Sequence, residues 1–274
     1  MNKIRQHILE TKDWLLTKGF DKPATGIVLG TGLGALVKTM DIKLSVPYHE
    51  IPHFPVSTVE FHKGNLIYGA VNGVAVIAMQ GRFHYYEGYS MQQITFPVRV
   101  MKELGIKNLL LSNAAGGMNP DYKKGDLVII EDHINLLPDN PLRGMNDPEM
   151  GNRFADMSSP YDKKLRRLLV ESFAKYDIPS REGIYVAVMG PSLETRAEYR
   201  WLRSTGADMV GMSTTPEVIV AAQIGLPCAA VSVITDECDP DNLQPVNIAE
   251  IIEVAGKADK KLSEIFADTI GKLS

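Results

Sequence analysis

Residues 25–34 read TGIVLGTGLG, an apolar run of five closed by a glycine-rich turn. A run this short and apolar, bounded by turn residues, reads as a strand buried on both faces. Such strands belong to sheets covered by helices on two sides. The unit recurs along the chain. Val74–Met79 ends in QGRFHYYEG (80–88), Asn108–Leu111 in SNAAGG (112–117) and Ile184–Met189 in GPSLET (190–195). Ala207–Val210 ends in GMST (211–214), and Ala229–Ile234 in TDECD (235–239). Leu127–Ile130 adds one more strand-like run.

Helical patterns separate these runs. Residues 2–18 place Ile4, Ile8, Leu15 and Leu16 on a helical period. Ser159-Pro160 reads as an N-cap with proline at the first helical position, leading into Tyr161, Leu165, Leu168, Leu169 and Phe173. Residues 194–204 and 215–224 read as shorter helices, and 248–271 puts Ile251, Ala255, Ala258, Leu262 and Ile265 on one face. Strands alternating with helices predict an α/β fold around a central mixed, largely parallel sheet flanked by helices. Two stretches, 44–64 and 132–158, are poor in strand signals and rich in Pro, His, Asn and Asp. Loops that long are commonly functional.

The chain has 274 residues, which at roughly 150 per domain gives roughly 1.8 domains. No linker or composition shift divides it, so a single domain over 1–274 is expected. Lys plus Arg is 29 and Asp plus Glu 33, a net charge of −4, which argues against a broad nucleic-acid partner. The two cysteines, Cys228 and Cys238, form no CxxC or Cys/His cluster, so no structural metal is expected. No apolar run reaches 18 residues, so no membrane span is expected. The first residues, MNKIRQHILETKDWLL, lack a long apolar signal region, so the expected compartment is the cytoplasm.

In open α/β sheets ligands bind beyond the carboxyl ends of the strands. Six turns converging there would build one site. GTGLG is neither a GxGxxG fingerprint nor a Walker loop, because Gly34 comes one residue early and no GK[ST] follows. Its glycines still let backbone N–H groups approach an anion, and Thr31 adds a hydroxyl. In QGRFHYYEG, Arg82, His84 and Tyr86 alternate and share one side of an extended segment. An arginine fork matches phosphate oxygens, and a protonated histidine adds a donor. His62, in EFHKG, is a second candidate donor. Glu194 reads equally as an acid in or near a helix N-terminus, where the macrodipole favours it. Asp236, with Glu237 and Asp239, reads as a solvated acidic loop or a metal site, although no ligand spacing supports the metal.

Taken together, these motifs resemble the trimeric purine nucleoside phosphorylases. The resemblance rests on GTGLG (30–34), IPHFPVSTVEFHKG (51–64), QGRFHYYEGY (80–89), TFPVRV (95–100) and SNAAGGMNP (112–120). DHINL (132–136), NPLRG (140–144), GPSLET (190–195) and VGMSTTPEVIVA (210–221) continue it in order along nearly the whole chain. It implies a nucleoside-phosphorylase-like domain, a homotrimer, and phosphorolysis of a purine nucleoside to free base and ribose 1-phosphate. It implies no metal or organic cofactor, with inorganic phosphate as co-substrate. Carried over position by position, it assigns phosphate to Thr31, His62, Arg82, His84, the Ala114 backbone and Ser213. The nucleoside falls to Tyr86, Leu193, Glu194, Val210, Met212, Asp236 and Ile248, with His84, Glu194 and Asp236 in the chemistry. Phe154, in GNRFADM, matches an aromatic that the family lends to the neighbouring subunit's site.

Two positions depart from the family's 6-oxopurine pattern. Asp236 stands where many members have asparagine, and an ionised aspartate only accepts hydrogen bonds. Ile248 stands where many place a histidine near the ribose 5′-hydroxyl. Both look like the methylthioadenosine branch. Glu194 points the other way, since a carboxylate accepts from the N1–H of hypoxanthine or guanine. The expected preference is therefore inosine and guanosine, with adenosine or 5′-methylthioadenosine as the alternative. A non-catalytic purine- or phosphate-binding protein on the same scaffold, or a hydrolase using water, remain the other readings.

Overall fold

A computed structural model describes residues 2–30, 34–59 and 63–273. Thr31 and His62 lie outside these residues. In chain order the elements are α1 (Lys3–Lys18), β1 (Thr25–Leu29), α2 (Ala35–Thr39), β2 (Asp41–Pro47), β3 (Asn65–Val71), β4 (Val74–Gln80), α3 (Met91–Glu103) and β5 (Asn108–Gly117). They continue as β6 (Leu127–Asn135), α4 (Lys163–Lys175), β7 (Arg181–Ala187), α5 (Arg196–Ser204), β8 (Met209–Gly211), α6 (Thr215–Gln223), β9 (Cys228–Glu237) and α7 (Ile248–Gly271).

The strands form one mixed sheet in the order β2-β3-β4-β1-β5-β8-β7-β6-β9. Every residue of β1 is buried, as its unbroken apolar pattern requires. It runs parallel to both β4 and β5. The order does not end at an open edge, because β9 also pairs with β5, in parallel. Strands β5, β8, β7, β6 and β9 thus close on themselves, and β1 to β4 extend from β5 as a wing. The helices cover both faces. On one side α1, α3 and α6 carry Ile8, Leu15, Val98 and Val218 into a core with Val28 and Leu111. On the other α2, α4 and α7 bring Leu36, Leu165, Phe173 and Leu262 against Ile27, Leu110 and Val231.

Several boundaries differ from the sequence expectations. The helix expected from Ser159-Pro160 begins at Lys163, where the Asp162 side chain caps Leu165 N–H at 2.8 Å. The Asp162 N–H donates to the Cys228 carbonyl at 2.8 Å, tying the approach to β9 before the helix turns. SNAAGG is strand rather than turn: β9 pairs alongside β5 as far as Gly117, with a register shift between Ala115 and Gly116. The two strand-poor stretches lose their ends to β2 and to β6, which reaches Asn135. Strand β7 stops at Ala187, where its pairing with β6 and β8 ends. Glu194 precedes the helix it was expected to join or adjoin, since Thr195 is the cap of α5.

Candidate active site

Strand ends from both parts of the sheet meet around a cavity of about 280 Å³. Its lining includes Arg82, His84, Tyr86, Ala114, Leu193, Glu194, Val210, Met212, Ser213, Asp236 and Ile248. Eleven positions singled out in the sequence therefore share one space. Phe154 does not line it; it lies on the surface, 88% exposed.

One end of the cavity is built around a buried cation. Arg82 is 1% exposed. Its Nη1 donates to Ser213 Oγ at 3.0 Å and Thr214 Oγ1 at 2.8 Å, and its Nη2 to the carbonyl oxygens of Ser112 at 2.6 Å and Val28 at 3.4 Å. A buried charge needs a counter-charge, and Glu217 Oε1, from the first turn of α6, stands 3.6 Å from Nη1. Thr214 also accepts from Asn113 Nδ2 at 2.8 Å. It has φ +69°, with the Thr215 N–H returning to the Ser213 carbonyl at 2.7 Å. A β-branched residue there is strained, and such strain persists only where the surroundings over-determine it. Here Arg82 and Asn113 hold the Thr214 hydroxyl, and the turn they fix leaves Ser213 facing the cavity. The Ser213 N–H donates to Tyr185 Oη at 3.2 Å. Gly30 closes this end because β1 and β5 meet backbone to backbone: a Cβ on it would stand 2.7 Å from the Ser112 oxygen.

His84 is oriented by Glu87. Glu87 Oε1 accepts from the His84 backbone N–H and stands 2.8 Å from the ring Nδ1, while Oε2 accepts from the Thr58 N–H and hydroxyl at 2.9 and 2.6 Å. Burial opposes the ionised Glu87, but the hydrogen bonds from His84 and Thr58 outweigh it and hold the carboxyl down at about 2. A carboxylate only accepts, so Nδ1 carries the hydrogen. The imidazole stacks on Tyr86, ring centres 4.7 Å apart at 14°. Burial, then the Glu87 charge, push the Tyr86 hydroxyl up to about 12, so it stays protonated.

The other end carries two carboxylates. Asp236, near the end of β9, accepts from Thr235 Oγ1 at 2.8 Å and from Cys238 Sγ at 3.2 Å. Burial raises the Glu194 carboxyl above the ordinary range, and the charges of Asp236 and Glu198 add to it despite hydrogen bonds from its own backbone and Tyr199. Leu193, Val210, Met212 and Ile248, with Ile251 and Ile252, supply the apolar walls. The acidic loop reading splits: Asp236 faces the cavity, while Glu237 pairs with Lys123 at 3.0 Å. Among the described residues no group of three His, Cys, Asp or Glu could hold a metal ion.

A buried guanidinium with hydroxyls at one end and carboxylates on apolar walls at the other suits a ligand that is anionic at one end and a flat hydrogen-bond donor at the other. The profile of the Phosphorylase superfamily matches residues 24–271. Purine nucleoside phosphorylase 1 of Bacillus subtilis is 51% identical over 237 residues, 86% of this chain and 88% of that protein. The mouse purine nucleoside phosphorylase is 44% identical over 267 residues, 95% and 92% of the two chains. The chain belongs to the purine nucleoside phosphorylase family. Among solved structures of the family, the Schistosoma mansoni enzyme in complex with adenosine superposes with a TM-score of 0.92 at 39% identity, covering 98% of each chain. Isoform 2 from the same organism, in complex with cytosine and ribose-1-phosphate, gives 0.93 at 39% identity over 98% and 97%.

Sequence reasoning passed over several residues of this family site. Glu87 holds His84 and is itself held by Thr58, Asn113 and Glu217 surround Arg82 and Thr214, and Tyr199 and Cys238 stand behind the carboxylates. Glu87 lies inside QGRFHYYEG, three residues after His84, a spacing that suits a side-chain contact, and Thr58, Asn113, Glu217 and Cys238 also lie inside quoted segments, where nothing local marks their partners. Among the described residues no helix is long and apolar enough to cross a membrane.

Proposed function

We propose that this chain catalyses phosphorolysis of purine nucleosides, giving free base and ribose 1-phosphate, with inosine and guanosine preferred. The observation that carries the reading is the polarity of this cavity, with Arg82 and Ser213 at one end and Glu194 and Asp236 at the other. Phosphate binds between Arg82, His84, Ser213 and the Ala114 backbone, with Thr31 and His62 completing its shell. Tyr86 and Met212 contact the ribose. The C1′–N9 bond breaks, its electron pair leaves with the purine, and positive charge develops on the sugar. A phosphate oxygen stabilises that charge and then bonds to C1′. The protein's part is positioning and a fixed electrostatic field. Phosphate is the only co-substrate this chemistry needs, and no metal or organic cofactor enters it.

Glu194 supports the 6-oxopurine preference, because as a carboxylate it accepts from N1–H. Asp236 and Ile248 favour the second reading, adenosine or 5′-methylthioadenosine. Phe154, exposed on its own chain, completes the site of a neighbouring copy in a homotrimer. The enzyme works in the cytoplasm. Turnover of inosine, guanosine, adenosine and methylthioadenosine, measured side by side with and without phosphate, tests the reading. Ribose release without phosphate would make the chain a hydrolase, no turnover a binding protein, and a tenfold lead of adenosine over inosine would reverse the preference.

A further inference from the structure

Behind the two base-end carboxylates lies a buried hydrogen-bond chain that the reaction as described does not use. Cys238 is 1% exposed and its backbone N–H is fixed to the Gly117 carbonyl at 2.7 Å. Its Sγ lies 3.2 Å from Asp236 Oδ2, while Thr235 Oγ1 donates to Oδ1 at 2.8 Å. Both Asp236 oxygens are thus held from the protein side, which sets the plane of the carboxylate in the cavity. The thiol is brought this close by Gly116: a Cβ there would stand 2.5 Å from Sγ and 3.3 Å from Asp236 Oδ2. Tyr199, 2% exposed, packs in the same cluster as Cys238 and shares the cavity lining with Glu194 and Asp236. Burial, and then the charge of Asp236, raise the Cys238 thiol well above its ordinary range, so the sulfur keeps its proton and remains a donor.

We propose that Cys238 is a specificity-determining positioning residue, which orients Asp236 as a fixed acceptor and thereby keeps 6-aminopurine nucleosides as substrates beside the 6-oxo ones. The inference rests on the phosphorolysis reading and deepens it. A carboxylate fixed in this plane accepts from the 6-amino group of adenine. The same carboxylate faces the O6 of hypoxanthine acceptor to acceptor, which is unfavourable. Without the thiol the carboxylate loses one of the two donors that fix its plane and swings more freely. That freedom costs adenosine its aligned partner and lets the carboxylate turn away from the O6 of inosine, so the ratio moves one way.

The experiment is the inosine-to-adenosine ratio of kcat/KM, each pair of values taken on one enzyme sample so that the folded fraction cancels. Cys238→Val, near in volume but without a donor, should raise the ratio about fivefold or more, as loss of a hydrogen bond to a charged group implies. Cys238→Ser, which keeps a donor, should stay within about twofold of the parent. An unchanged ratio in Cys238→Val overturns the proposal. So does an equal shift in Cys238→Ser, because that marks a packing effect. If Cys238→Val does not fold, the smaller Cys238→Ala takes its place with the same expectation. Absence of phosphate-dependent turnover of either nucleoside in the parent enzyme defeats the phosphorolysis reading instead, a result distinct from a flat ratio.

Discussion

Arg82 Nη1 and Thr214 Oγ1 lie 2.8 Å apart across 132 residues of chain, joining the end of β4 to the start of α6. Thr214 is held in a strained conformation by this bond and by Asn113, and Ser213 is presented to the cavity as a result. The anion end of the site is therefore one interlocked unit, in which a single side chain has both a catalytic and a structural consequence.

Replacing Arg82 separates the two. Arg82→Met should lower kcat/KM for phosphate by roughly a hundredfold or more, the scale of losing one electrostatic stabiliser. It should also destabilise the fold by about 3 kcal/mol, because Glu217 is left buried without its cation. Adding Glu217→Gln should recover most of the stability and none of the activity. Denaturant unfolding beside steady-state kinetics checks both, and a parallel recovery of activity would remove Arg82 from the phosphate role.

Glu87 makes a pH prediction. Its carboxyl is held at about 2, below the ordinary 4.5. A lowered folded-state pKa contributes stability above the unfolded value, and that contribution is lost as pH falls from 4.5 towards 2. Melting temperatures of the parent should drop over that window by more than those of Glu87→Gln, which has no charge to lose there. Equal drops would show that Glu87 is not held ionised by His84 and Thr58.

Phe154, at 88% exposure, should contribute little to the stability of its own chain. Phe154→Ala should change unfolding free energy by less than about 0.5 kcal/mol. If a neighbouring copy uses the ring, kcat/KM for nucleoside should nevertheless fall by about tenfold, the cost of roughly 1.4 kcal/mol of binding. Unaltered kinetics would confine each site to one chain.

Gly30 tests the close approach of β1 and β5. The atoms that an added methyl meets are the Ser112 carbonyl oxygen at 2.7 Å and Asn113 Cα at 2.9 Å, and backbone cannot step aside as a side chain can. Gly30→Ala should cost about 1–3 kcal/mol and weaken phosphate binding by shifting the strand that carries Ala114. Full stability in thermal unfolding would contradict the packing described for this end.

Sequence by itself determined the elements and much of the site. The unbroken apolar run of β1 required burial on both faces, and the segments after successive runs carried most of the residues that line the cavity, among them Arg82, His84, Glu194, Ser213 and Asp236, while α7 adds Ile248, Ile251 and Ile252. Those signals are local, because a strand end and its turn occupy a few adjacent residues. Tertiary structure alone decided the rest. Closure of β5 to β9 depends on β9 pairing through SNAAGG, which reads as a turn until a strand lies beside it. The partners that tune the site, Glu217 on Arg82, Thr58 on Glu87 and Tyr199 between Glu194 and Cys238, come from segments far apart in the chain or carry no motif of their own. Residue types name what a side chain can do. Burial and the neighbour opposite, which only the folded chain supplies, decide which charge it keeps and where it points.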